Sequence, residues 1–106
     1  MQLNMDKIIT EKMEFIKELC SRYGVKSLYV FGSASTGKFD EKSDLDFLIS
    51  FSDELTIEDY TENYFTIHYK LQEIFKKKID LVTENSLSNP FFIKSLNKTK
   101  SVLYES

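Results

Sequence analysis

Apolar positions along the chain alternate between two periods. Met5, Ile9, Met13, Ile16, Cys20 and Tyr23 recur at spacings of three and four, with Ile8, Phe15 and Leu19 widening the stripe. That is the repeat of an amphipathic helix, and Gly24 directly after it suits a C-cap. Ser27-Leu28-Tyr29-Val30-Phe31 is a short run of strand formers and reads as a buried strand. Gly32 to Thr36 should turn into a short helix ending near Gly37. From Asp44 to Phe51 the period becomes two. Leu45, Phe47, Ile49 and Phe51 share one face, and Asp44, Asp46, Leu48 and Ser50 share the other. Ser52-Asp53-Glu54 breaks this strand. A long helix is predicted from about Thr56 to Lys77, with Tyr60, Tyr64, Ile67, Leu71 and Ile74 on its buried stripe. Lys78 to Thr83 is a third strand and Asn85 to Asn89 a turn. Pro90 opens a last helix carrying Phe91, Phe92, Ile93 and Leu96. Ser101 to Tyr104 is a candidate fourth strand.

The chain has no repeat, low-complexity tract or Pro/Gly-rich linker, so its 106 residues are expected to form one domain, residues 1–106. Strand–helix alternation ordinarily favours an all-parallel sheet. The chemistry-bearing residues argue for a different arrangement. Gly32-Ser33 closes the first strand, whereas Asp44 and Asp46 open the second and Asp80 opens the third. For these to meet, strands one and two must run antiparallel and strands two and three parallel. The expected fold is therefore α/β (α+β), a small mixed β-sheet with helices packed on it.

Composition limits the function classes. A net charge of −3 argues against broad electrostatic capture of nucleic acid, and Lys76-Lys77-Lys78 reads as a solvated helix end. No apolar stretch reaches the ~20 residues that span a bilayer. No signal peptide is evident, and the single cysteine, Cys20, excludes an intramolecular disulfide and fits a reducing compartment. A cytoplasmic location is expected. Cys20 falls on the helix stripe as a small core hydrophobe. His68, mid-helix between Ile67 and Tyr69, reads as a surface or packing residue rather than a ligand.

The candidate chemistry lies between residues 32 and 46. A Gly-Ser at a strand-to-helix turn lets the backbone approach a ligand and offers free N–H groups to phosphate oxygens; by itself, Ser33 could equally be only an N-cap. Two carboxylates two residues apart on a strand lie on the same side, roughly 6–7 Å apart at ~3.3 Å rise per residue. That suits Mg²⁺, which binds through one or two carboxylates plus substrate phosphates; alone, the pair could equally cap a turn and face water. Asp80 sits between Ile79 and Leu81, and an acid in an apolar strand calls for a partner. A metal, a proton-accepting role or a neighbouring lysine would each provide one. Together the residues describe a site for a nucleoside triphosphate.

Gly32-Ser33, ten intervening residues and Asp44-Leu45-Asp46 resemble the signature of the polymerase-beta-type nucleotidyltransferase superfamily. The flanking Tyr-Val-Phe-Gly-Ser and Ser-Asp-Leu-Asp-Phe-Leu-Ile are similar to its minimal nucleotidyltransferase (MNT) branch, over roughly Met5 to Val102. The resemblance implies that Asp44 and Asp46 are metal ligands, that Asp80 is the third acid, serving as ligand or general base, and that Gly32 and Ser33 contact the triphosphate. Where the family often carries an arginine before the second glycine, this chain has Ser35 and Thr36; Lys38 and Lys42 are candidate substitutes. The resemblance further implies Mg²⁺, ATP as nucleotide donor, and a HEPN-domain toxin as partner. The MNT protein would be its antitoxin, in active cases by moving AMP to a tyrosine of the toxin. An alternative is a non-catalytic antitoxin that binds through aromatic residues such as Tyr64, Phe65, Tyr69, Phe91 and Phe92, although their helical spacing fits the core better. A third, transfer to a small hydroxylated molecule such as an aminoglycoside, would call for an added acceptor-binding domain. A core this small must find its acceptor on another macromolecule or build the pocket by forming an oligomer.

Overall fold

The computed structural model describes residues 5–31 and 44–106. Helix α1 (Met5–Arg22) leads into β1 (Val25–Phe31), followed by β2 (Leu45–Phe51) and helix α2 (Ile57–Phe75). Then come β3 (Ile79–Thr83), a short 3-10 turn (Glu84–Ser86), helix α3 (Pro90–Thr99) and β4 (Ser101–Glu105). The predicted short helix over Gly32–Thr36 falls outside the described residues.

The strands form one mixed sheet in the order β3-β2-β1-β4. β1 runs antiparallel to β2 and to β4, while β2 runs parallel to β3. This is the arrangement that convergence of the acids required. The parallel pair is joined through α2, as parallel neighbours must be joined by a crossover.

The period-two pattern of β2 assigns the two faces. Leu45, Phe47, Ile49 and Phe51 pack with Ile16, Leu19 and Cys20 of α1 and Ile67 and Leu71 of α2. Each fully buried aliphatic side chain here contributes about 1.5–3 kcal/mol. On the opposite face Phe31 and Leu48 meet Leu96 of α3, with Tyr29, Val82 and Leu87 partly buried around them. Asp46 and Asp80 leave that same face, in register with each other.

Local chemistry sets the helix ends. Thr56 Oγ1 accepts from the Asp59 N–H at 3.1 Å and caps α2. Lys76 ends that helix in the left-handed conformation (φ 54°), with its N–H on the Gln72 carbonyl. Asn89 Oδ1 accepts from the N–H groups of Phe91 and Phe92, with Pro90 in the first turn of α3.

Several aromatic side chains depart from the core positions their spacing suggested. Phe15 is exposed rather than part of the α1 stripe, and Phe65, Tyr69, Phe91 and Phe92 are exposed as well. Phe65 and Tyr69 are four residues apart on the face of α2 opposite Ile67 and Leu71, and so form a second, solvent-facing stripe. Of the five interface candidates Tyr64 is partly buried against the main core, and Phe92, though exposed, touches the ring of the buried Phe31. Among the described residues, no helix is long and apolar enough to cross a membrane.

Candidate functional site

Register brings two acids together. In the antiparallel β1–β2 ladder Phe31 is the partner of Asp46, and in the parallel β2–β3 ladder Asp46 is the partner of Asp80. Side chains of directly paired residues leave the same face of a sheet. Asp46 and Asp80 therefore project side by side, next to the last residue of β1. Gly32 and Ser33 lie outside the described residues; the chain reaches them directly from Phe31.

The two carboxyls interact. Asp46 is pushed up to about 6 from its ordinary 3.8, first by burial, then by its hydrogen bond with Asp80, then by the charges of Asp80 and Asp44. An acid forced to keep its proton beside another acid is a position where bound positive charge is favoured. Asp80 itself is exposed, not buried in an apolar strand as its neighbours suggested: Ile79 and Leu81 enter the core, while Asp80 between them leaves the other face of β3.

Asp44 stands apart from this pair. It precedes β2, and its carboxylate lies 4.0 Å from the Lys78 ammonium, while the Leu45 N–H donates to the Lys78 carbonyl at 3.2 Å. Among the described residues, no group of three His, Cys, Asp or Glu side chains is gathered closely enough to hold a metal ion. The pair Asp46–Asp80 nevertheless offers the hard oxygen donors that Mg²⁺ takes from a protein, which are commonly one or two carboxylates with phosphates and water completing the octahedron. The donor set fits that ion with two acids in place and Asp44 near enough to act on Asp46 through its charge.

The pair opens into a depression of about 400 Å³ whose walls include Phe31, Tyr64, His68 and Phe92. Phe31 and Phe92 meet edge to face, with centroids 5.9 Å apart. From α2, His68 Nε2 donates to the Ile79 carbonyl at 2.7 Å and the Tyr64 hydroxyl donates to the Leu81 carbonyl at 2.5 Å. Since a carbonyl only accepts, Nε2 carries the imidazole proton. Sequence reasoning named none of the four beside the acids: Tyr64 and Phe92 were offered only as partner-binding aromatics, and Phe31 and His68 not as site residues. Their only signal was position: Phe31 adjoins Gly32, and Tyr64 and His68 are four apart on one helix.

Comparison with known proteins gives a consistent result. Residues 12–103 match the family described as "Nucleotidyltransferase domain". A chain of Methanocaldococcus jannaschii provisionally named protein adenylyltransferase MJ1379 is 34% identical over 96 residues, covering 87% of this chain and 94% of its own. A solved structure provisionally described as a minimal nucleotidyltransferase is 25% identical, with a TM-score of 0.68 over 93% of this chain and 95% of that one. A chain in a solved complex of tri-AMPylated HEPN toxin with MNT antitoxin from Shewanella oneidensis shares the fold. It is 20% identical, with a TM-score of 0.60 over 92% of this chain and 72% of that one.

Proposed function

The chain belongs to the nucleotidyltransferase-domain family, in its minimal branch, and is a nucleotidyltransferase, and from that premise we propose that it transfers AMP from ATP to a hydroxyl of a partner protein, with Mg²⁺, as antitoxin to a HEPN-type toxin. The observation that carries the reading is the register pairing of Asp46 with Asp80 beside the end of β1. The naming of a relative as a protein adenylyltransferase and the fold shared with an MNT antitoxin from a complex with AMPylated HEPN toxin support the donor and the acceptor class.

In this reading Asp46, Asp80 and Asp44 would hold the metal, and Gly32 and Ser33 would hold the triphosphate. Bound Mg²⁺ neutralises charge on the phosphates and on the departing pyrophosphate. The acceptor oxygen forms its bond to the α-phosphorus as the bond from that phosphorus to the β-bridging oxygen breaks, and pyrophosphate leaves. Asp80, exposed and lining the depression, would receive the acceptor's proton. Binding and orientation supply most of what such a transfer needs. The protein works in the cytoplasm, where ATP is at hand.

Incubation with α-labelled ATP, MgCl₂ and the product of the neighbouring gene tests this directly. Label should pass to the partner, and transfer that persists when Asp44 and Asp46 are both replaced by alanine refutes the mechanism. The exposed Phe65, Tyr69 and Phe91 favour a second reading, neutralisation by binding alone, because large aromatic residues are enriched at interface cores. A protein with Asp44→Asn and Asp46→Asn that still silences its partner would select that reading.

A further inference from the structure

We propose that Tyr64 and His68 are positioning residues for Asp80, holding its strand so that its carboxylate stays beside that of Asp46. The inference rests on the reading of Asp80 as a metal-holding acid. Among the described residues β3 is an edge strand, paired only with β2. Its outer carbonyls would ordinarily be left to water or to a foreign strand. Here two of them are taken by one helix: Ile79 O by His68 Nε2 and Leu81 O by the Tyr64 hydroxyl.

The geometry of the two elements makes the match possible. Residues four apart on a helix are separated by about 6 Å along its axis, at 1.5 Å per residue. Alternate carbonyls on one side of a strand are separated by about 6.6 Å, at 3.3 Å per residue. Tyr64 and His68 thus meet Leu81 and Ile79 in antiparallel order, and the two bonds fix the peptide planes 79–80 and 81–82. Asp80 lies between those planes. Its side chain leaves the sheet face it shares with Asp46, and the four side chains Asp46, Tyr64, His68 and Asp80 line one depression. Loss of either bond frees one of the planes flanking the acid while its β2 pairing remains. The expected consequence is a wandering carboxylate in an intact fold.

The probe is Mn²⁺, whose binding in the presence of AMP-PNP is read by electron paramagnetic resonance, with thermal unfolding alongside. Tyr64→Phe keeps the ring in the core and removes only the hydroxyl; His68→Leu removes the donor and His68→Gln restores one. Tyr64→Phe and His68→Leu should each weaken Mn²⁺ binding by about tenfold, as loss of a group orienting a ligand does. His68→Gln should recover most of the loss. Added to Asp80→Asn, Tyr64→Phe should cost nothing more, because residues acting through one group are not additive. A merely structural role would lower the unfolding temperature and leave that non-additivity absent. Parent-like Mn²⁺ binding by Tyr64→Phe and His68→Leu, with Asp80→Asn impaired, overturns the inference, and so does a Tyr64→Phe loss that is undiminished in the Asp80→Asn protein. Parent-like binding by Asp80→Asn itself overturns the underlying reading and takes this inference with it.

Discussion

Asp46 and Asp80 are register partners on parallel neighbouring strands, and their carboxyls share a hydrogen bond. Two acids can share such a bond only while one keeps a proton, so the folded chain binds that proton more tightly than the unfolded chain does. Asp46 is raised to about 6 from 3.8. A raised acid contributes stability that is fully present below its unfolded value and is lost as pH rises through its folded one. The metal-free protein should therefore lose stability between about pH 4 and pH 6 through this group, by on the order of 1 kcal/mol once solvent screening is allowed for. Asp46→Asn should flatten that segment of the profile and raise stability at pH 7.5. Chemical unfolding at several pH values in the presence of EDTA measures both; an unchanged slope in Asp46→Asn would place the shared proton elsewhere.

The contact between Asp44 and Lys78 gives the three acids unequal standing. In the absence of nucleotide, Mn²⁺ binding should depend on Asp46 and Asp80 and survive Asp44→Asn. Lys78→Ala should tighten binding, since it frees Asp44 to turn toward the pair. The gain should stay below about fivefold, because an exposed ion pair at 4.0 Å is worth at most about 1 kcal/mol. Calorimetric titration with MnCl₂ would decide; weaker binding in Lys78→Ala would show that the lysine holds Asp44 in place rather than away.

How legible was this in the sequence? The acids that open β2 and β3 called for the parallel pairing of those strands, and Gly32-Ser33 after β1 called for the antiparallel pairing of β1 with β2; both pairings are present. The alternation from Leu45 to Phe51 marked which side chains enter the core. Periodicity failed where one helix carries two apolar stripes: Phe65 and Tyr69 look like core by composition and face water. It also failed for Asp80, whose apolar neighbours suggested burial, because nothing local to the strand says how far the face opposite Ile79 and Leu81 is covered. The bonds from Tyr64 and His68 to the β3 carbonyls were unreadable for a related reason. They join a helix to the backbone of another element, and backbone carbonyls have no sequence signature.

Asn89 ties the last helix to the site. Its Oδ1 accepts from the Phe91 and Phe92 N–H groups, and Phe92 stands edge to face with Phe31, the register partner of Asp46. Asn89→Ala should cost about 1 kcal/mol, as loss of an N-cap does, and Asn89→Ser or Asn89→Asp should recover most of it. The near-ultraviolet circular dichroism of the aromatic pair should weaken in Asn89→Ala at temperatures where the protein remains folded. An unchanged aromatic signal with the same stability loss would mean that Phe92 is placed by packing on Leu96 rather than by the cap.

Gly24 offers the sharpest test of backbone conformation in the core. It adopts φ +71°, and a Cβ built there would lie 3.1 Å from a Leu55 methyl; its carbonyl also accepts from the Ser52 N–H at 2.9 Å. The turn thus joins the end of α1 to the loop between β2 and α2. A side chain forced into the left-handed region costs roughly 1–2 kcal/mol, and the crowded Leu55 methyl adds to it. Gly24→Ala should accordingly destabilise the protein by about 2 kcal/mol, measured by urea unfolding. Gly24→Asn separates the two causes, since asparagine tolerates the left-handed region and brings the same Cβ against Leu55. A smaller loss for asparagine than for alanine assigns the cost to the backbone; equal losses assign it to the contact with Leu55 and contradict the conformational argument.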